Sequence, residues 1–239
     1  MRKFILSVLV LSVIPFSMLA QQRAGVWSTV AVDKKIHEKW NLRAKAELRT
    51  FGGADVDLVN KVERWTVGAT VGYSPLKALE LSTTYILMNV LDREYDNYRF
   101  QHRFFLTALG RQSWGNFSFS LRERLQITTR DDSKRIKPDG SIDAYEINTD
   151  VVWRNRLHLT YNIPNLPIVL SASFETFYIL NHPEKNKFNE IRYILSLGYK
   201  INPKNTIELY GMYRQNPSNS SVKDAYGIYI LGLSYRISL

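Results

Sequence analysis

A chain of 239 residues has the length of one sheet-based domain. It contains no cysteine, which excludes disulfide staples and thiolate chemistry. Lysine and arginine number 32 against 22 acids, a net charge of +10 that points toward anionic partners.

Met1, Arg2 and Lys3 form a positive start, followed by the apolar run Phe4 to Val13 and then Ile14-Pro15-Phe16-Ser17-Met18-Leu19-Ala20. This order predicts a secretory signal peptide over residues 1–20, cleaved after Ala20, with Met18 where a small residue is usual. Without a cysteine at the cut, a lipoprotein anchor is excluded. Export argues against nucleic acid as the anionic partner, leaving anionic lipid, lipopolysaccharide phosphate or an anionic solute. After the signal no apolar run reaches about 18 residues, so no transmembrane helix is predicted. A bilayer can otherwise be crossed only by a closed barrel, which pairs every backbone group between strands.

Trp40 to Phe51 shows the pattern that organises the rest. Trp40, Leu42, Ala44, Ala46 and Leu48 share one phase; Asn41, Arg43, Lys45, Glu47 and Arg49 share the other. Period two predicts a strand with one apolar and one polar face. Eleven such segments are expected, near 24–34, 40–51, 63–73, 79–90, 98–110, 117–129, 145–161, 168–180, 188–201, 206–216 and 225–239. Eleven residues rise about 36 Å, or about 28 Å along the membrane normal at a tilt near 40°. Short connections (36–39, 74–78, 111–116, 162–167, 202–205) alternate with longer ones (52–62, 91–97, 130–144, 181–187, 217–224), the rhythm of periplasmic turns and outside loops. Pro75, Pro164, Pro167 and Pro203 fall in the short set, and Pro138, Pro183 and Pro217 in or beside the long one; none is expected inside a strand. The fold class is therefore all-β: an antiparallel up-and-down transmembrane β-barrel of 10–12 strands over residues 21–239. An odd count would start the first strand on the outside. A missed strand, a first segment in the lumen and a truly odd barrel all remain open.

Trp40, Tyr73, Phe117, Tyr161 and Tyr199 each lie beside a short turn on the apolar phase, as a membrane-interface girdle requires. Tyr98, Tyr178, Tyr193 and Tyr213 form a partial second set near the long loops. The final segment alternates through Tyr229, Leu231, Leu233, Tyr235, Ile237 and Leu239, similar to the C-terminal signal read by the barrel assembly machinery. These features favour apolar residues facing lipid over a soluble periplasmic ligand-binding barrel, whose apolar phase would point inward.

The polar phase then lines the lumen. It carries Arg43, Lys45, Glu47 and Arg49 on the second segment, Arg64 on the third, and Arg99 and Arg103 on the fifth. Arg122 and Arg124 follow on the sixth, Arg154 and Arg156 on the seventh, Glu175 on the eighth, and Arg192, Glu208 and Arg214 on the next two. Two readings fit this basic set: a narrow anion-preferring, porin-like channel, or a lumen plugged by Arg–Glu networks. Glu123 breaks phase inside Leu121-Arg122-Glu123-Arg124-Leu125, and a bulge turning it inward is expected.

A lipid-modifying enzyme would need a histidine and a serine together at the outer face. His102 and His158, with Ser82, Ser120, Ser171 or Ser173, are the available pieces, and no GxSxG turn surrounds any serine. The histidines read as structural, no spacing suits a metal, and no cofactor is expected. Asp139, Ser141 and Asp143 have part of a calcium loop's spacing, but the downstream acids are missing, so a solvated turn is expected, with Lys134, Arg135 and Lys137 free to meet lipopolysaccharide phosphate.

Val26-Trp27-Ser28-Thr29-Val30, Asp33-Lys34-Lys35, Trp40 and Glu47-Leu48-Arg49 resemble the domain of unknown function 2490 family of uncharacterised barrels. Arg99, His102-Arg103-Phe104, Leu121-Arg122-Glu123-Arg124, Glu190 to Tyr193 and Glu208-Leu209-Tyr210 extend the resemblance over nearly all the mature chain. It implies an outer-membrane barrel in a Gram-negative envelope and brings no activity, substrate or catalytic residue.

Overall fold

The computed structural model describes residues 24–52, 62–92, 97–130, 134–136, 139–144, 149–182, 187–216 and 227–239. The expected signal peptide, Pro138, Lys137, Pro183 and Pro217, and positions 145–148 of the seventh expected segment, lie outside them. The described strands are β1 (Ala24–His37), β2 (Trp40–Gly52), β3 (Val62–Leu76), β4 (Leu79–Asp92), β5 (Asn97–Trp114), β6 (Phe117–Arg130), β7 (Lys134–Ile136) and β8 (Ile142–Ala144). They continue with β9 (Thr149–Asn162), β10 (Ile168–Ile179), β11 (Lys187–Asn202), β12 (Asn205–Gln215) and β13 (Ile228–Ser238).

Eleven of these strands close into a barrel in the order β1-β13-β12-β11-β10-β9-β6-β5-β4-β3-β2. The strand count is odd, so the closing pair is parallel. β1 runs beside β13 without a break from Ala24↔Tyr229 to Asp33↔Ser238. Every other neighbouring pair in the wall is antiparallel, as sequential hairpins dictate. Both β1 and β13 begin at the rim of the longer connections and end at the rim of the short turns. Closure leaves no free strand edge in the wall.

The wall inverts the arrangement of a soluble protein. Val30, Leu42, Leu48, Leu106, Leu157, Leu195 and Leu233 are exposed on the outer face, Leu195 by 70%. Glu47, Thr66, Thr70, Gln101, Thr107, Gln126, Thr128, Arg154 and Glu175 are buried on the inner one. A soluble ligand-binding barrel would place these two sets the other way round. On the outer face the directly opposed rings Phe174, Tyr193, Tyr213 and Tyr229 form a band across β10 to β13, with centroid spacings of 5.3, 6.3 and 5.1 Å.

Strand ends depart from the sequence reading at the turns. β5 runs to Trp114, so the expected 111–116 connection shrinks to two residues, and Gly115 supplies the positive φ of 56° that a tight hairpin needs. β3 continues to Leu76 and takes in Pro75, at a register shift between Tyr73 and Leu76 where no ladder donor is required. The charged 130–149 connection holds a hairpin of its own, β7 with β8. In its turn Asp139 Oδ1 accepts from the Ser141 amide at 2.9 Å and the Ser141 hydroxyl at 2.7 Å.

Glu123 corrects a further expectation. The register from Phe117↔Tyr161 through Glu123↔Asn155 to Thr129↔Thr149 is unbroken, as is that of β6 with β5. No bulge turns the residue inward; its phase keeps it on the outer face.

Candidate functional site

The densest charge lies inside the wall where β6 meets β9. Arg122 stands directly opposite Arg156, and Arg124 opposite Arg154. Like charges opposed across a ladder repel. Glu175, on the next strand and only 2% exposed, answers part of that repulsion. It accepts from Arg122 and from Arg154 Nη2 at 2.8 Å. Arg154 also donates to Gln126 Oε1 at 3.0 Å. The motif repeats more weakly elsewhere. Arg49 opposes Arg64, with Glu47 taking Arg49 at 2.5 Å and Lys45 at 2.6 Å. Arg192 opposes Arg214, and Glu190 holds both, the second at 3.3 Å.

Three rings thread between these guanidinium groups. Arg49 lies 3.5 Å from the Trp27 ring centroid, and Arg192 lies between Trp27 and Phe177, at 5.5 and 4.3 Å. Arg154 lies between Phe177 and Phe105, at 4.2 and 5.6 Å, and Arg124 covers Phe105 at 4.3 Å. The result is an alternating chain of ring and cation running from Trp27 on β1 to Phe105 on β5, held by cation–π attraction. Sequence reasoning missed these rings. Their signal was an aromatic on the polar phase: Trp27 between Gly25 and Thr29, Phe105 between Arg103 and Thr107, Phe177 two residues from Glu175.

Positive charge is left over. Arg103 donates to Thr128 Oγ1 at 2.9 Å, Arg124 to Thr107 Oγ1 at 3.0 Å and Arg156 to Ser173 Oγ at 3.1 Å. Among the described residues none of the three has a carboxylate within ion-pair distance. The Nε atoms of Arg64, Arg122 and Arg156 are buried without an acceptor. Planar donors with spare hydrogens, clustered in a confined space, recognise carboxylate or phosphate oxygens. Among the described residues no three His, Asp or Glu come together as a metal site would need.

The remaining candidates are more dispersed. Arg43 pairs with Asp33 near the short-turn rim, where Arg236 Nε also approaches at 3.6 Å. Arg99 occupies the inner phase of β5 opposite Val90. Glu208 lies on the inner phase of β12, opposite Gly198 and Ser234. Trp40 packs on Tyr73 at 4.9 Å and Phe117 on Tyr161 at 4.6 Å beside their turns, while Tyr199 is exposed opposite Ile168 and Ile207.

The histidines are already engaged. His158 faces Ser120 and Ser173 across its two ladders, yet its Nδ1 lies 3.4 Å from Arg156 Nη2 and its Nε2 3.0 Å from Thr160 Oγ1. His102 Nδ1 bonds the Tyr85 hydroxyl at 2.8 Å on the outer face. No serine hydroxyl bonds either ring, so the described geometry holds no serine–histidine pair.

Three solved structures align with this chain. The translocator domain of autotransporter NalP from Neisseria meningitidis aligns with a TM-score of 0.50 and 15% identity, over 86% of this chain and 81% of that one. The NanC porin aligns with a TM-score of 0.48 and 14% identity, over 86% and 93%. The β-domain of the Bordetella autotransporter Brka aligns at 0.49 and 10%, over 82% and 78%. The NalP alignment shows the fold alone, that of an outer-membrane-type β-barrel. The sequence profile of a family described as a protein of unknown function, DUF2490, matches residues 24–225. No curated protein matches the sequence.

Proposed function

We propose, from the premise that this chain belongs to the DUF2490 family of proteins of unknown function, that it is a non-enzymatic barrel of the bacterial outer membrane with a narrow, anion-preferring passage. In this reading residues 1–20 direct export and are removed, and residues 21–239 are folded into the membrane by the barrel assembly machinery. The apolar wall meets lipid and lipopolysaccharide, and the girdle of Trp40, Tyr73, Phe117, Tyr161 and Tyr199 marks the periplasmic interface.

The observation that carries the anion preference is the quartet on β6 and β9. Of the four arginines there, Arg122 and Arg154 pair with Glu175, while Arg124 and Arg156 keep donors for a guest. The ring-and-guanidinium chain narrows the same level, so the passage suits small anions rather than large solutes. A field of one sign in a low-dielectric constriction raises the local concentration of its counter-ion and repels its like.

The test is planar-bilayer recording of the purified barrel under a potassium chloride gradient. The expected reversal potential has the sign of chloride preference, and Arg124→Ala with Arg156→Ala moves it toward zero. A silent or cation-selective wild-type barrel overturns the proposal.

A further inference from the structure

On the outer face of β6 and β9, Leu121, Leu125, Leu157 and Leu159 surround two polar side chains, Glu123 and Asn155. They are direct cross-strand partners midway along their strands. Trp153 Nε1 donates to both, at 2.7 Å to Glu123 Oε2 and 2.8 Å to Asn155 Oδ1. That leaves Glu123 Oε1 without a donor and Asn155 Nδ2 without an acceptor among the described residues. Both face outward at the depth where a bilayer offers neither water nor a hydrogen-bonding partner, and a polar group there marks a functional contact.

The flanks of this pair differ. Toward β5 and β4 the wall dips into a groove of about 650 Å³, lined by Thr83, Leu106 and Ala108 together with Glu123, Leu125 and Trp153. Toward β10 the wall carries the large side chains Leu157 and Phe174. A two-fold axis along the membrane normal, passing between Glu123 and Asn155, brings the free acceptor of one copy to the free donor of the other, twice. It also lays the Leu157 and Phe174 flank of each copy against the groove of its mate. Such self-complementarity is the signature of an isologous contact, in which residue i meets residue j and j meets i. Thr83 and Ala108, the small members of that lining, let two walls approach closely there.

We propose that this face joins two copies of the chain side by side in the membrane. The proposal stands apart from the anion passage and needs only that the outer face meet acyl chains.

The absence of cysteine makes the test clean. Asn155→Cys places a thiol beside the axis, and Leu233→Cys places one on β13, across the barrel. In oxidised native membranes the first is expected to give a disulfide-linked dimer and the second to stay monomeric. Because Asn155→Cys removes the donor of each copy, and with it both cross-copy bonds, the unmodified chain is also measured by sedimentation in detergent. A dimer is expected, weakened about tenfold or more when Glu123→Leu and Asn155→Leu delete both charge-assisted bonds. A wild-type monomer in detergent, equal cross-linking at positions 155 and 233, or a monomer carrying a bound amphiphile in native mass spectrometry would each overturn the proposal.

Discussion

The two halves of the lumen are filled by opposite means. Under β1, β12 and β13, Trp27, Met212 and Ile230 are buried together, with Ile194, Tyr210 and Ile228 packed against them. Under β6, β9 and β10, the space is occupied instead by arginines, two of them paired with Glu175. Both halves stand behind the same kind of apolar outer wall. The apolar half is held by burial, which asks for no specific partner and tolerates a swap of similar volume. The charged half depends on one carboxylate, without which buried cations are left facing one another.

That contrast can be broken most sharply at Glu175. Glu175→Gln is expected to cost about 3–5 kcal/mol, because it leaves desolvated arginines uncompensated. The loss would be read by urea unfolding in lipid vesicles, and Arg122→Leu with Arg154→Leu in the same chain should recover much of it. On the apolar side, Gly232 is the sensitive position. A Cβ there would overlap the Tyr210 ring, so Gly232→Ala should cost about 1–3 kcal/mol and be relieved by Tyr210→Leu. Removing Arg43, which pairs with Asp33 at the partly exposed rim, should cost no more than about 1 kcal/mol in the same assay. A Glu175 effect no larger than that of Arg43 would mean the interior is wet enough to screen its charges.

The alternation of Leu42, Ala44 and Leu48 with Arg43, Lys45 and Arg49 made the wall legible, because period two admits one geometry. The strand segments, the aromatics beside the turns and the basic inner phase all follow from it. What fills the lumen did not follow. Phe105, Phe177 and Trp27 come from strands far apart in sequence, and only closure brings them onto Arg124, Arg154 and Arg192. Glu123 misled because a polar residue on the apolar phase reads as a bulge when its neighbours are arginines. One of its oxygens is instead met sideways by Trp153, a partner two residues beyond the cross-strand position. The β7–β8 hairpin was hidden by charge, since it pairs only the three residues Lys134, Arg135 and Ile136 with three opposite.

The parallel seam between β1 and β13 has a consequence for how the polypeptide is laid across its envelope. With an even count the first and last strands would start and finish at one rim. Here Ala24 opens at the rim of the long connections and Ser238 finishes at the other. An epitope joined ahead of Ala24 and another joined after Ser238 would therefore emerge from opposite rims of the barrel, and antibody on intact cells would reach one of them and not the other.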